Sequence, residues 1–177
     1  MRAEKSRKRV QVVSLYSGGM TISISIEPPR QADVEALLAA GTVFAHSLYP
    51  EENSFLLSTD ELEGSGVFVY VARDEGGTAR GMAALVPLDS DATPPVSTAE
   101  LKRLFVHADA RGRGVAGRLL DRIEADAAGR GIRSLALETG PLQHVAMALY
   151  RGRGYEQVEL FGQYVGEEFS VCFAKSL

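Results

Sequence analysis

The stretch Arg103–Ala125, RLFVHADARGRGVAGRLLDRIEA, decides the fold. It runs from an apolar strand through an arginine- and glycine-rich loop into an amphipathic helix. Leu104, Phe105 and Val106 end a β segment, AELKRLFVH, that is apolar on both faces at its close, the pattern of a central strand. Val115, Ala116, Leu119, Leu120, Ile123 and Ala127 then recur at helical spacing and form one apolar stripe. Between strand and helix, Gly112 and Gly114 let backbone N–H groups approach a ligand closely. The helix start adds partial positive charge, and Arg111 and Arg113 add full charges on forked donors. Such a loop suits a diphosphate.

Two ligands compete for it. Gly112-Arg113-Gly114-Val115-Ala116-Gly117 satisfies G-x-G-x-x-G, and Glu138 follows about 20 residues later, where a ribose-binding acid of an NAD(P) site would stand. Three features oppose that Rossmann-type reading. The dinucleotide fingerprint turns directly after its strand, whereas HADAR separates Val106 from Gly112. Few strand-like segments remain after Glu138. Hairpin segments precede the loop, which points to a mixed sheet rather than repeated βαβ units.

Working outward, TISISIEPP alternates apolar and polar residues as a strand does, and its prolines end it. ADVEALLAAG places Val34, Leu37 and Leu38 on one helical face, with Asp33 at its start and Gly41 as its break. AHSLYPEENSFLLSTDELEGS reads as a short helix or as a loop over a site. GVFVYVAR and ARGMAALVPL form a hairpin around DEGG, and the polar loop DSDATPPVST follows. Beyond the loop helix, closed by Gly129 and Gly131, IRSLALETG is a strand. LQHVAMALYRGRG is a helix carrying Leu142, Ala146, Leu149 and Tyr150 on one face, with Gly154 as its left-handed cap. Strands near EQVELF and FSVCFAK finish the chain.

The 177 residues suit one domain at roughly 100–200 residues each. The net charge of −4 disfavours a general nucleic-acid binder, and no apolar run is long enough for a membrane span. The first ten residues carry +4 and the remainder −8, so residues 1–20 read as a basic extension, a tail or an edge strand through VQVVSLY, ahead of a domain at 21–177. The single cysteine, Cys172, rules out a disulfide framework and fits a reducing cytoplasm. In FSVCFAK it reads as a buried, inert thiol. His46, His107 and His144 lack metal-ligand spacing, so no metal is expected.

Arg111-Gly112-Arg113-Gly114-Val115-Ala116 resembles the Q/R-x-x-G-x-G/A loop of the GNAT superfamily of acetyl-CoA-dependent N-acetyltransferases. AELKRLFVHADAR resembles its central strand, and MALYRGRGYEQV its later helix-to-strand element. The order of elements is also that superfamily's. LYP at 48–50, ELKR at 100–103, LETG at 137–140 and ALY at 148–150 resemble small bacterial members. The resemblance implies an α+β fold, a three-layer α/β/α arrangement with a mixed, splayed sheet of six to seven strands. It implies acetyl-CoA as co-substrate, a primary amine of a small molecule or peptide as acceptor, and direct attack in a ternary complex. A homodimer is common in the resembled superfamily. A non-catalytic acyl-CoA sensor with the same loop is the non-enzyme alternative.

By the same resemblance, the backbone of Leu104, Phe105 and Val106 would pair with the pantetheine arm, and an N–H near Leu104 would serve the oxyanion. The amides from Arg111 through Gly112, Arg113, Gly114, Val115 and Ala116 to Gly117 would take the pyrophosphate. Gln143 stands where many members place an asparagine toward the pantetheine. Tyr150, the tyrosine of the resembled LY pair, is the candidate acid for the leaving thiolate; its alternative is a core tyrosine. Glu100, eleven residues before Arg111, is the preferred base. Glu138 is its rival, and ordered water a third route. Tyr49, Glu51 and Glu52 fall in the segment that would roof the acceptor.

Overall fold

The computed structural model describes residues 21–88 and 98–177. The basic extension with its candidate edge strand, and nearly all of the DSDATPPVST loop, lie outside the described residues.

Seven strands form one sheet: β1 (Ser23–Ile26), β2 (Phe68–Arg73), β3 (Ala79–Pro87), β4 (Thr98–Val106), β5 (Ser134–Thr139), β6 (Glu156–Val158) and β7 (Val171–Ser176). Their order across the sheet is β1-β2-β3-β4-β5-β7-β6. β4 and β5 run parallel, and every other pair is antiparallel. The described residues hold four helices: α1 (Ala32–His46), α2 (Thr59–Leu62), α3 (Val115–Gly129) and α4 (His144–Gly152).

Strand alternation sorts the core into two layers. Tyr70, Leu85, Leu101, Leu135, Leu137 and Phe173 face α3 and α4 and meet Leu119, Leu120, Ile123 and Tyr150. Val69, Val71, Met82 and Ala84 face the other way and meet Val34, Leu37 and Leu38 of α1 and Leu62 of α2. The result is the expected α/β/α sandwich. Arg73 at the end of β2 pairs with Glu27 at 2.8 Å and with Asp33, tying the start of α1 to the sheet.

Two local expectations need correction, and one open alternative is decided. Gly41 does not break α1, which continues to His46. The Phe105 ring explains the glycine, because its Cγ lies 3.3 Å from where a Cβ would stand. The helix runs past that ring instead of ending at it. Leu142 precedes α4 and is exposed; Met147 joins Tyr150 on the buried face instead. The ambiguous segment after His46 holds a short helix, α2, opened by a Ser58–Glu61 capping box.

Candidate active site

The parallel pairing of β4 with β5 runs from Thr98 opposite Ser134 to Leu101 opposite Leu137 and stops there. β4 continues to Val106 against β3 alone, while Glu138 and Thr139 of β5 pair only with β7. A V-shaped gap opens between the two strands.

At the apex β4 bulges. Met82 pairs with Phe105 and Ala84 with Lys102, leaving Arg103 and Leu104 opposite Ala83 alone. Arg103 has φ +57°, the one positive value among described non-glycine residues. Past the bulge, the His107 N–H donates to the Arg80 carbonyl at 2.9 Å. Hydrogen-bonded and non-bonded pairs alternate in an antiparallel ladder. The Phe105 backbone groups therefore pair with Met82, and those of Val106 turn to the open side. Of the three backbone positions expected at the gap, Val106 faces it by this alternation, Phe105 faces β3, and Leu104 lies within the bulge.

The loop follows at the mouth of the gap. Residues Ala108–Ala110 form a 3₁₀ turn, and Gly112 and Gly114 take φ +72° and +75°. Gly114 is the N-cap of α3, with no side-chain cap and no acid in the first turn. The N–H groups of Val115, Ala116 and Gly117 thus lack intrahelical acceptors. A Cβ at Gly112, Gly114 or Gly117 would meet nothing within 4 Å, so the approach is open. The two arginines differ. Arg113 is exposed, whereas Arg111 folds back. Its Nε donates to the Val106 carbonyl at 3.1 Å, and its guanidinium lies 5.2 Å from the Phe44 ring centre and 5.6 Å from that of Phe105. Arg111 covers part of the open edge, held there by exposed, easily broken contacts.

On the α1/α2 side of the gap lies a buried polar cluster. Glu100 and Lys102, two apart on β4, share this face with Glu138 of β5. The Tyr164 hydroxyl donates to Glu100 at 2.5 Å and receives the Lys102 ammonium. Lys102 stands 3.5 Å from Glu100, so the two charges are paired. Glu138 accepts from the Ser170 hydroxyl at 2.8 Å. Burial raises the Glu138 pKa above the ordinary carboxylate value, and the Lys102 charge and Ser170 oppose the rise only in part. Phe55 and Phe161 stand edge-on to the Tyr164 ring at 5.1 and 5.3 Å.

Tyr49 crosses from the end of α1 to the end of β5. Its hydroxyl accepts from the Leu142 N–H at 2.7 Å, and its ring lies where a Cβ on Gly140 would be. The LYP and LETG signatures are two halves of one contact. Glu51 and Glu52 lie beyond it, exposed.

Tyr150 enters from the opposite layer, 5.6 Å from the Tyr155 ring and 6.3 Å from Phe173. Burial, then the Glu138 charge, pushes its phenol well above the ordinary value, so it is protonated at neutral pH. Gln143 lies just before α4, makes no side-chain capping bond, and donates its N–H to Gly140 at 3.0 Å. His144 is exposed. Cys172 is fully buried opposite Glu138 on β7, and burial raises its thiol pKa, which suits no nucleophile.

The GNAT acetyltransferase family model matches residues 33–155. The chain belongs to the GNAT family. An IAA acetyltransferase of Azospirillum brasilense is 35% identical over 156 residues, covering 88% of this chain and 98% of that one. A Klebsiella pneumoniae structure assigned as an acyl-CoA N-acyltransferase matches with a TM-score of 0.71 and 30% identity, over 88% of this chain and 97% of that one. A GNAT acetyltransferase of Elizabethkingia anophelis, solved with acetyl-CoA bound, shares the fold at a TM-score of 0.64 and 18% identity, over 88% and 98% of the two chains.

As a GNAT acyltransferase, this chain has site neighbours that its sequence did not single out. Tyr164 sits in FGQYVGEEF, a segment without periodicity, and Ser170 opens the last strand segment. Lys102 was visible only as part of ELKR. Among the described residues no helix is long and apolar enough to cross a membrane, and no cluster of His, Cys, Asp or Glu could hold a metal ion.

Proposed function

We propose that this GNAT enzyme moves an acetyl group from acetyl-CoA to a primary amine of a small molecule or peptide, by direct attack in a ternary complex in the cytoplasm. One observation carries the reading: the open edge of β4, the bulge and the uncapped start of α3 follow one another along a single stretch of chain. A pantetheine arm can pair with the Val106 backbone while its diphosphate meets the amides from Arg111 to Gly117. Gln143 flanks the arm. Arg111 must then release the Val106 carbonyl.

The side chains divide the proton work. The acceptor amine is cationic at neutral pH and must lose a proton. Glu138, whose raised pKa makes it a better base than an ordinary carboxylate, is our choice to take it. Glu100, already engaged by Tyr164 and Lys102, is the positioning partner and the reserve base. The amine nitrogen bonds to the thioester carbonyl carbon, and an N–H at the bulge near Leu104 meets the charge on oxygen. As the carbon–sulfur bond breaks, Tyr150 gives its phenolic proton to sulfur and regains one from solvent.

Thermal shift with acetyl-CoA, CoA and NAD(P), followed by free-thiol release across an amine panel, tests this. Stabilisation by the two CoA species and amine-dependent thiol release are expected. Stabilisation by NAD(P) alone would reverse the ligand assignment. Tight CoA binding without turnover on any amine would leave a sensor.

A further inference from the structure

Arg103 is a half-buried cation without a counter-ion. One terminal nitrogen donates to the Leu38 carbonyl at 2.7 Å, and both terminal nitrogens reach the Thr42 hydroxyl at 3.2 Å. These acceptors are neutral. Desolvation, with no opposing acid, lowers its pKa, and no further partner exists among the described residues. Other partly buried cations here are paired: Lys102 with Glu100, Arg73 with Glu27, Arg80 with Asp74, Arg153 with Glu124. Burying a charge without a partner is unfavourable, and a fold that carries one leaves room for an anion.

Its place says which anion. Arg103 forms the β4 bulge, with the backbone strain of φ +57°, beside the gap. Its side chain lies against α1, on the layer of Glu100 and Lys102. The chain leaving α1 crosses to the end of β5, where Tyr49 covers Gly140. Leu101 is opposite Leu137, so continued pairing would set Lys102 and Arg103 against Glu138 and Thr139. Arg103 and Glu138 are therefore on the two strands that bound the cleft. The guanidinium fork matches a carboxylate, and its Nε makes no hydrogen bond among the described residues.

We propose that Arg103 binds a carboxylate of the acceptor, which makes the acceptor an amino carboxylate with its amine at Glu138. This rests on the acetyl-transfer reading above. Lys102 is less suited to the role, because Glu100 and Tyr164 already occupy it.

The test is thiol release from acetyl-CoA with free amino acids, each beside its own carboxamide. The acids should exceed the amides roughly ten- to a hundredfold in kcat/KM, chiefly through KM. Arg103→Gln should erase that ratio, and Arg103→Lys should keep part of it. Thr42→Val removes a hydrogen bond to Arg103 but keeps the charge, and should leave the ratio intact. Equal use of acids and amides by the wild type, or an unchanged ratio in folded Arg103→Gln, overturns the proposal. A second readout needs no turnover: the CoA-saturated protein should gain thermal stability from the acids and not the amides, and lose that difference in Arg103→Gln. If that difference holds while no amine raises thiol release, the transfer reading fails and the Arg103 site stands. If amines are acetylated without carboxylate preference, the reverse is true.

Discussion

Gly140→Ala is a one-methyl change with a large expected effect. The added carbon would stand 2.2 Å from Tyr49 Cζ and 2.3 Å from its hydroxyl oxygen, far inside contact distance. Gly140 is buried in backbone, so the ring must move. Tyr49 is only 7% exposed, and moving it returns roughly 100 Å² of ring surface to water, about 2.5 kcal/mol. The Leu142 N–H also loses its acceptor, at about 1 kcal/mol or more. Allowing for relaxation, we expect about 3 kcal/mol of destabilisation, or a Tm lower by roughly 6–12 °C for a chain of this length. Urea unfolding with an unchanged m-value is the assay. The decisive comparison is a double-mutant cycle with Tyr49→Ala, in whose background the added methyl should be nearly neutral. A Gly140→Ala cost below about 0.5 kcal/mol, or an equal cost in both backgrounds, would refute the contact.

Four further outcomes follow from the geometry. Arg113→Glu should weaken acetyl-CoA binding at least tenfold by calorimetry with little change in Tm, because the side chain is exposed beside the uncapped helix start; unchanged affinity would detach the loop from the diphosphate. Tyr150→Phe keeps the ring in the core and should lower kcat well below the wild type at an unchanged acetyl-CoA Kd; an unchanged kcat returns Tyr150 to a packing role. Glu138→Gln should lose activity yet gain stability at pH 7. Burial raises the Glu138 pKa, so the folded state holds the proton more tightly, and wild-type stability falls as pH rises through the window above the unfolded value near 4.5; the gain should vanish below that window, and a pH-independent difference in urea midpoints would contradict it. Cys172 should resist alkylation in the native state, and Cys172→Ala should keep turnover; loss of turnover in folded protein would bring the thiol into the chemistry.

The fold was readable wherever periodicity carried it. The stripe from Val115 to Ala127 and the alternation of β2 and β3 specify their faces locally. Gly41 misled because a helix-breaking residue was chosen for room beside Phe105, a contact 64 positions away. The site was readable only in part. Glu100, Glu138, Tyr150 and the loop lie on regular elements with recognisable spacing. Tyr164 and Ser170 reach Glu100 and Glu138 from an irregular segment, through contacts 64 and 32 residues apart, and no local pattern marks them. Arg103 gave no signal, since its left-handed backbone and missing counter-ion exist only in three dimensions.

The last strand has a consequence for when the enzyme becomes usable. β7 pairs with all six residues of β5, including the two that β4 has abandoned, and the Leu177 N–H just after it ties back to the Arg133 carbonyl at 2.9 Å. One wall of the cleft therefore leans on the six residues of β7, although none of them was assigned a part in binding or chemistry. A chain still emerging from the ribosome can assemble the hairpin and the arginine loop, but that wall stands as a bare edge until β7 has been made and has paired. Removing β7 would disable acetylation as surely as removing the loop.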